Sequence, residues 1–121
     1  LKEKLAEYPD DLSAKMGKYH LDRVLDREGL PRAIERKDPL FYHQVLEKSL
    51  DHLLQALFAA NKVYFPSRKR NMQYLTGFTI APENCDARLL EIVRFGGYAD
   101  GIEKSVQMLN DLVKEMLVLV S

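Results

Sequence analysis

The residues best suited to chemistry lie together between Lys62 and Arg70. This window holds four cations, although the chain has 18 basic and 18 acidic residues and no net charge. No acidic residue occurs between Asp51 and Glu83. Guanidinium and ammonium groups both bind phosphate oxygens, and the start of the helix predicted to follow would favour the same anion. The window suits either an anion-binding turn or a solvated surface turn, and the residue types alone favour the solvated turn.

Other reactive side chains do not form a recognisable catalytic or metal-binding set. Cys85 is the only cysteine, and we interpret it as a half-buried residue in a connecting loop rather than a nucleophile. The three histidines, His20, His43 and His52, lack the i, i+4 spacing of a helical metal site. We therefore expect no catalytic residue and no metal ligand in this chain.

Aromatic residues cluster near the predicted helix ends. They could line a pocket for a sugar or a base, but aromatic rings in such positions more often seal a helical core. The residues concerned are Phe41, Tyr42, Tyr64, Phe65, Tyr74, Phe78 and Tyr98.

The elements that position these residues are predicted to be helices, because apolar residues recur three and four positions apart along most of the chain. The clearest helix spans Pro39 to about Asn61, and Gly29 is predicted to cap the end of an earlier helix that begins at Pro9. Short connections and the lack of a convincing strand pair indicate an all-α, antiparallel bundle of five or six helices. The predicted helices cover 1–7, 9–28, 39–61, 70–76, 85–95 and 99–119, and a short piece at 30–36 lies between the second and the third.

The segment from Leu57 to Arg70 carries a resemblance to a known group. Its sequence, L-F-A-A-N-K-V-Y-F-P-S-R-K-R, resembles the pattern L-F-A-L-N-R-x-Y-[FY]-P-x-x-K-[RW]. That pattern is found in the helical C-terminal part of nucleotidyltransferases of the DUF4037 and aminoglycoside/lincosamide-type group. The stretch R-K-D-P-L-F-Y-H-Q-V-L, from Arg36 into the long helix, is similar to the same group's entry into that helix. The resemblance covers about a third of the chain, from Arg36 to Leu75.

This resemblance implies a nucleotidyltransferase substrate-binding-domain-like fold that closes an active-site cleft and contacts nucleotide phosphate. In such proteins a separate N-terminal domain carries a Gly-Ser turn and an Asp-x-Asp pair that binds Mg²⁺. This chain has neither, so it should be inactive alone. By motif position the resemblance assigns phosphate contacts to Asn61, Tyr64 and Lys69. The neighbouring cations Lys62, Arg68 and Arg70 are further candidates.

The expected partners follow from the same resemblance. We expect residues 1–121 to form a single helical domain, the C-terminal part of a longer protein. Its partner would be an N-terminal nucleotidyltransferase domain in the same protein or in a separate subunit. The joined protein would use Mg²⁺ and ATP, or another NTP, and could modify a small-molecule acceptor. The chain itself is expected to hold no cofactor.

Two other functional classes remain open. One is a non-catalytic helical module that binds a partner protein through exposed apolar faces, which the apolar stretch from Met116 to Val120 would suit. The other is a HEPN-type ribonuclease or antitoxin bundle, because Arg36 and His43 have the spacing of its Arg-x₄₋₆-His motif. The intervening Asp38-Pro39 should, however, place the two residues on different helices.

Composition bounds the setting of the protein. The chain has no apolar run long enough for a membrane span, and its charged N-terminus does not resemble a signal peptide. The lone cysteine fits a reducing compartment, so we expect a cytoplasmic protein. The balanced charge gives no reason to expect a membrane or nucleic acid as a partner.

Overall fold

The computed structural model describes residues 8–66 and 69–120 of the chain, and these residues are all-helical. They form five α-helices of eight residues or more and one shorter helix, which confirms the predicted all-α class. No described helix combines the length and apolar character that a membrane crossing needs. The helix predicted for 1–7 lies outside the described residues. The elements are α1 (Asp10–Val24), α2 (Gly29–Arg36), α3 (Pro39–Ala60), α4 (Asn71–Leu75), α5 (Cys85–Phe95), a 3₁₀ turn (Ala99–Gly101) and α6 (Ile102–Val120).

The end of α1 differs from the prediction. Gly29 was expected to cap this helix, but α1 ends at Val24 and Gly29 begins α2. The cause is Asp26, whose carboxylate accepts the N–H groups of Glu28 and Gly29 at 3.0 and 2.8 Å and so satisfies donors at the start of α2. A Cβ at position 29 would lie 2.6 Å from an Asp26 carboxylate oxygen. Glycine is therefore required by this close approach and not by a C-terminal cap.

The long helix α3 begins and ends where the sequence predicted. The Asp38 carboxylate accepts the N–H groups of Leu40 and Phe41, and Pro39 occupies the first helical position, where its missing N–H costs nothing. Helix α3 is the spine of the fold, and half of its residues are buried. Its contact with α1 is the most extensive between any two of the described elements.

Side-chain contacts show that two helix pairs are antiparallel. Ser13 contacts Ala59 and His20 contacts His52, so α1 and α3 run in opposite directions. Helices α5 and α6 are likewise antiparallel, because Arg88 pairs with Glu115 and Ile92 meets Ser105.

A polar relay lies in the core between α3, α5 and α6. The Ser105 hydroxyl donates to the Ile92 carbonyl at 2.7 Å, and the Tyr42 hydroxyl lies 2.7 Å from Ser105 Oγ. Because a serine has only one hydroxyl proton, Tyr42 is the donor in the second bond. Tyr42 is therefore part of the core, and its ring leaves space only for glycine at position 96, where a Cβ would lie 2.6 Å away.

Cys85 occupies a different environment from the one predicted. It is the first residue of α5 and is buried, whereas a half-buried position in a connecting loop was expected. Burial raises the pKa of the Cys85 thiol to about 11. The thiol is thus protonated at neutral pH and is a poor nucleophile.

Candidate anion-binding site

The turn that follows α3 is built around a lysine in a left-handed conformation. The Lys62 N–H donates to the Ala59 carbonyl at 3.0 Å, and the Val63 N–H donates to the Phe58 carbonyl at 2.9 Å. This pair of bonds is the Schellman arrangement, in which the left-handed position is usually glycine. Here Lys62 occupies it, with φ 56°. The other end of the turn, Arg70, is also left-handed, with φ 61°.

Asn61 fixes this turn to the loop before α5. Its side-chain Nδ2 donates to the carbonyls of Leu57 and Ile80, both at 2.8 Å. Its Oδ1 accepts the Ile80 N–H at 3.0 Å. Both amide protons are therefore used inside the protein, so Asn61 is placed to position the turn. Sequence reasoning had predicted a phosphate contact for Asn61, but its side chain has no remaining N–H donor to offer a phosphate oxygen.

A carboxylate from another helix pairs with a cation of the turn. Lys62 Nζ forms an ion pair with the Asp10 carboxylate at the start of α1, and this hydrogen bond lowers the pKa of Asp10. The stretch between Asp51 and Glu83 contains no acidic residue, and Asp10, which is distant in sequence, supplies a carboxylate to it. Both side chains are largely exposed, so the pair adds little stability and solvent reaches it readily.

Lys69 and Arg70 are exposed beside the start of α4. Helix α4 has only five residues, and Arg70 gives it no side-chain cap. The predicted contribution of a helix N-terminus to anion binding is therefore small, because five residues form little more than one helical turn. Arg68 lies outside the described residues, so the cations that the structure brings to this turn are Lys62, Lys69 and Arg70.

Tyr64 forms part of an aromatic wall beside the cations. Its side chain is about half exposed, and its ring centroid lies 4.5 Å from that of Tyr8, with 41° between the planes. Behind the two rings is a hollow of about 200 Å³ between α1 and α3. The structure therefore places Tyr64 at the mouth of a cavity.

Most of the other aromatic residues serve the core, as predicted. Phe58 lies in the middle of a cluster whose ring centroids are 4.9 to 5.2 Å from its own. The neighbouring rings are Phe65, Tyr74 and Phe78. This cluster joins the basic turn to the segments on either side of it.

The histidines show one relationship that spacing could not reveal. His20 on α1 and His52 on α3 are hydrogen-bonded through their Nδ1 atoms at 2.9 Å. His43 is exposed on α3, and Arg36 closes α2 with its guanidinium 4.9 Å from the Phe41 ring centroid. Arg36 and His43 are thus on separate helices, as Pro39 predicted. Within the described ranges, no three His, Cys, Asp or Glu side chains gather as a metal site would require.

The family of the chain is established by comparison with known proteins. The model of the family described as "Domain of unknown function (DUF4037)" matches residues 1–70, which is more than half of the chain. The chain therefore belongs to the DUF4037 family. The matched residues include the whole basic turn, from Lys62 to Arg70. No curated protein and no solved structure matches the chain.

Three residues near the turn were missed by sequence reasoning. They are Asp10, Ile80 and Tyr8, and the sequence analysis gave none of them a role at the turn. Each reaches the turn across a large sequence separation, and a single sequence carries no signal for such pairings. Covariation between positions 10 and 62, or 8 and 64, could have found two of them. Asn61 bonds only the backbone of Ile80, so no covariation with position 80 is expected.

Proposed function

We propose that this chain is the helical domain of a nucleotidyltransferase-like protein, which closes the cleft of a catalytic domain and contacts nucleotide phosphate through the basic turn. The observation that carries the proposal is the set of three exposed cations, Lys62, Lys69 and Arg70, on the short segment that follows α3. Lys62 and Arg70 hold the left-handed backbone at the two ends of this segment. Lys37 has the same backbone at the end of α2, so the concentration of cations, and not the positive φ, supports a ligand.

The charges near the turn are consistent with an anionic ligand. Lys62, Lys69 and Arg70 are exposed, and the carboxylate that pairs with Lys62 is itself open to solvent. A phosphate group could displace Asp10 at small cost, because exposed ion pairs are weak. Phosphate oxygens would gain charge-assisted hydrogen bonds from three side chains that lie on one short segment.

Family membership supports the proposal indirectly. The segment that resembles nucleotidyltransferases, Leu57 to Arg70, lies within the residues that the DUF4037 model matches. In this proposal Mg²⁺ and the carboxylates that bind it belong to a catalytic domain, in the same protein or in a separate subunit. ATP or another NTP would lie between the two domains, and the acceptor would be a small molecule.

A second candidate function is a protein-interaction module. The last turn of α6 exposes four consecutive apolar residues, Leu117 to Val120. Leu117, Leu119 and Val120 border a groove of about 600 Å³ that is also lined by Gly17 and Leu21 of α1 and by Ile80. Apolar surface of this kind favours contact with another protein. A HEPN-type ribonuclease has less support, because its two candidate residues lie on separate helices.

The proposal is tested by calorimetric titration of the chain with tripolyphosphate. The double variant Lys69→Gln/Arg70→Asn removes two cations, and asparagine tolerates the left-handed backbone at position 70. We expect it to bind at least about tenfold more weakly, since each charge-assisted bond contributes about 1.5–3 kcal/mol. Lys37→Asn is the matched control, because Lys37 is another exposed cation with positive φ. Equal affinity of the double variant and wild type would overturn the proposal.

A further inference from the structure

The hollow beside the basic turn has the lining of a site for a flat apolar ring. Its walls include Tyr8, Leu12, Phe58, Tyr64 and Phe65, and Gln55 is a polar group among them. The side-chain amide nitrogen of Gln55 is available for recognition only in part, because Nε2 already donates to the Asp51 carboxylate at 2.8 Å. The Gln55 carbonyl oxygen remains as a possible acceptor.

The Tyr8 hydroxyl contributes no charge to the aromatic wall near neutral pH. Burial raises the pKa of the Tyr8 hydroxyl, and the neighbouring Tyr64 raises it further. The tilted contact between these two rings leaves Tyr64 about half exposed at the entrance. An aromatic group that approaches from solvent can therefore meet the ring of Tyr64.

The same short segment supplies both the ring and the cations. Lys62 precedes Tyr64 by two residues, and Lys69 and Arg70 follow at the other end of the turn. The nearby carboxylates are engaged, Asp10 with Lys62 and Asp51 with Gln55. This arrangement favours a ligand that is aromatic at one end and anionic at the other, and it disfavours a polycation.

We infer that the hollow binds the base of a nucleotide whose phosphates contact Lys62, Lys69 and Arg70. The inference rests on the proposed function and adds a subsite for the base to it. The hollow, at about 200 Å³, is smaller than the roughly 300–1,000 Å³ of sites that enclose a whole ligand. It accommodates one ring system, and the sugar and phosphates extend over the turn. A polycationic acceptor such as an aminoglycoside is disfavoured at this subsite, because Lys62, Lys69 and Arg70 would repel it.

The experiment compares ligands with and without the base. Calorimetry measures the Kd of ATP and of tripolyphosphate for the wild-type chain, Tyr64→Leu, Tyr64→Phe and Tyr98→Leu. Tyr98 is the matched control, since it is similarly exposed but lies against Phe95. Circular dichroism establishes that each variant keeps the helical content of the wild type. Kanamycin is added as a competitor to test for a polycationic ligand.

The inference predicts that the wild type binds ATP about tenfold more tightly than tripolyphosphate, as stacking of a base on one aromatic ring allows. Tyr64→Leu should abolish this difference without changing tripolyphosphate binding, whereas Tyr64→Phe and Tyr98→Leu should retain it. Equal binding of both ligands by the wild type, or a ratio unchanged in Tyr64→Leu, would overturn the inference and leave the proposed function standing. Displacement of ATP by kanamycin would also overturn it. Failure of both phosphate ligands to bind would overturn the proposed function together with the inference.

Discussion

The Nδ1 atoms of His20 and His52 lie 2.9 Å apart across the contact between α1 and α3. Their ring centroids are 5.2 Å apart, so the two rings point toward each other. A hydrogen bond between two Nδ1 atoms requires a single proton between them, with one ring as donor and the other as acceptor. The bond can therefore exist only while at least one ring is neutral. Double protonation would place two N–H donors against each other.

This pair makes stability depend on pH. Burial lowers the pKa of His20, and His52 and Arg23 lower it further against the opposing effect of Asp51. The folded state then binds protons less readily than the unfolded state, whose histidine pKa is about 6.5. The contribution of His20 to the free energy of unfolding should be fully present above about pH 6.5. It should decrease as the pH falls toward the lowered pKa of His20. Urea unfolding at about pH 7.5 and about pH 5.5 measures the difference.

Two variants separate this pair from the remaining histidine. His52→Ala should show a smaller loss of stability between the two pH values, because His20 then has no second imidazole beside it. His43→Gln changes an exposed histidine and should keep the wild-type dependence. The account fails if His52→Ala and the wild type lose the same free energy on acidification.

Asn61 should be important for stability. Asn61→Ala removes two hydrogen bonds to Ile80 and one to Leu57. The Ile80 groups are exposed enough to bond water afterwards, so we expect a loss of about 1–3 kcal/mol in the free energy of unfolding. Urea unfolding measures it, with Asn110→Ala on α6 as a control expected to change stability less. A loss no larger than that of the control would show that the contact to the loop contributes little.

Alanine substitutions at two buried serines should change the free energy of unfolding in opposite directions. Ser49 Oγ has no hydrogen-bond partner among the residues that the structure describes, so Ser49→Ala should stabilise the protein by about 1 kcal/mol. Ser105 accepts from Tyr42 and donates to Ile92. Ser105→Ala leaves the buried Tyr42 hydroxyl unsatisfied and should destabilise by about 1–3 kcal/mol. Thermal or urea unfolding of both variants checks the signs, and changes of the same sign would contradict these assignments.

The parts of the fold that local sequence dictates were predictable. The spacing of apolar residues in α3 and the start of this helix at Pro39 both act within one or two helical turns, so sequence patterns report them directly. Gly29 was misassigned because glycine suits both a helix end and a close approach. Its actual role depends on Asp26, whose side chain competes for the same backbone groups.

The candidate site was predictable only in part. The cations of the turn are adjacent in sequence, and their number in a neutral chain drew attention to them. The ion pair of Lys62 with Asp10 and the contact of Tyr64 with Tyr8 join residues that are far apart in the chain. These contacts depend on how α1 packs against α3. Periodicity predicts both helices, but it does not determine which residues face each other.

The most direct test of the central claim is to map where phosphate binds. Backbone amide resonances of the ¹⁵N-labelled chain are followed by NMR during titration with tripolyphosphate, and the largest chemical-shift changes are assigned to residues. The account predicts that they centre on Lys62, Tyr64, Lys69 and Arg70, with a secondary change at Ile80 through Asn61. Changes that centre on the turn at Lys37 instead, or the absence of any saturable change, would contradict it.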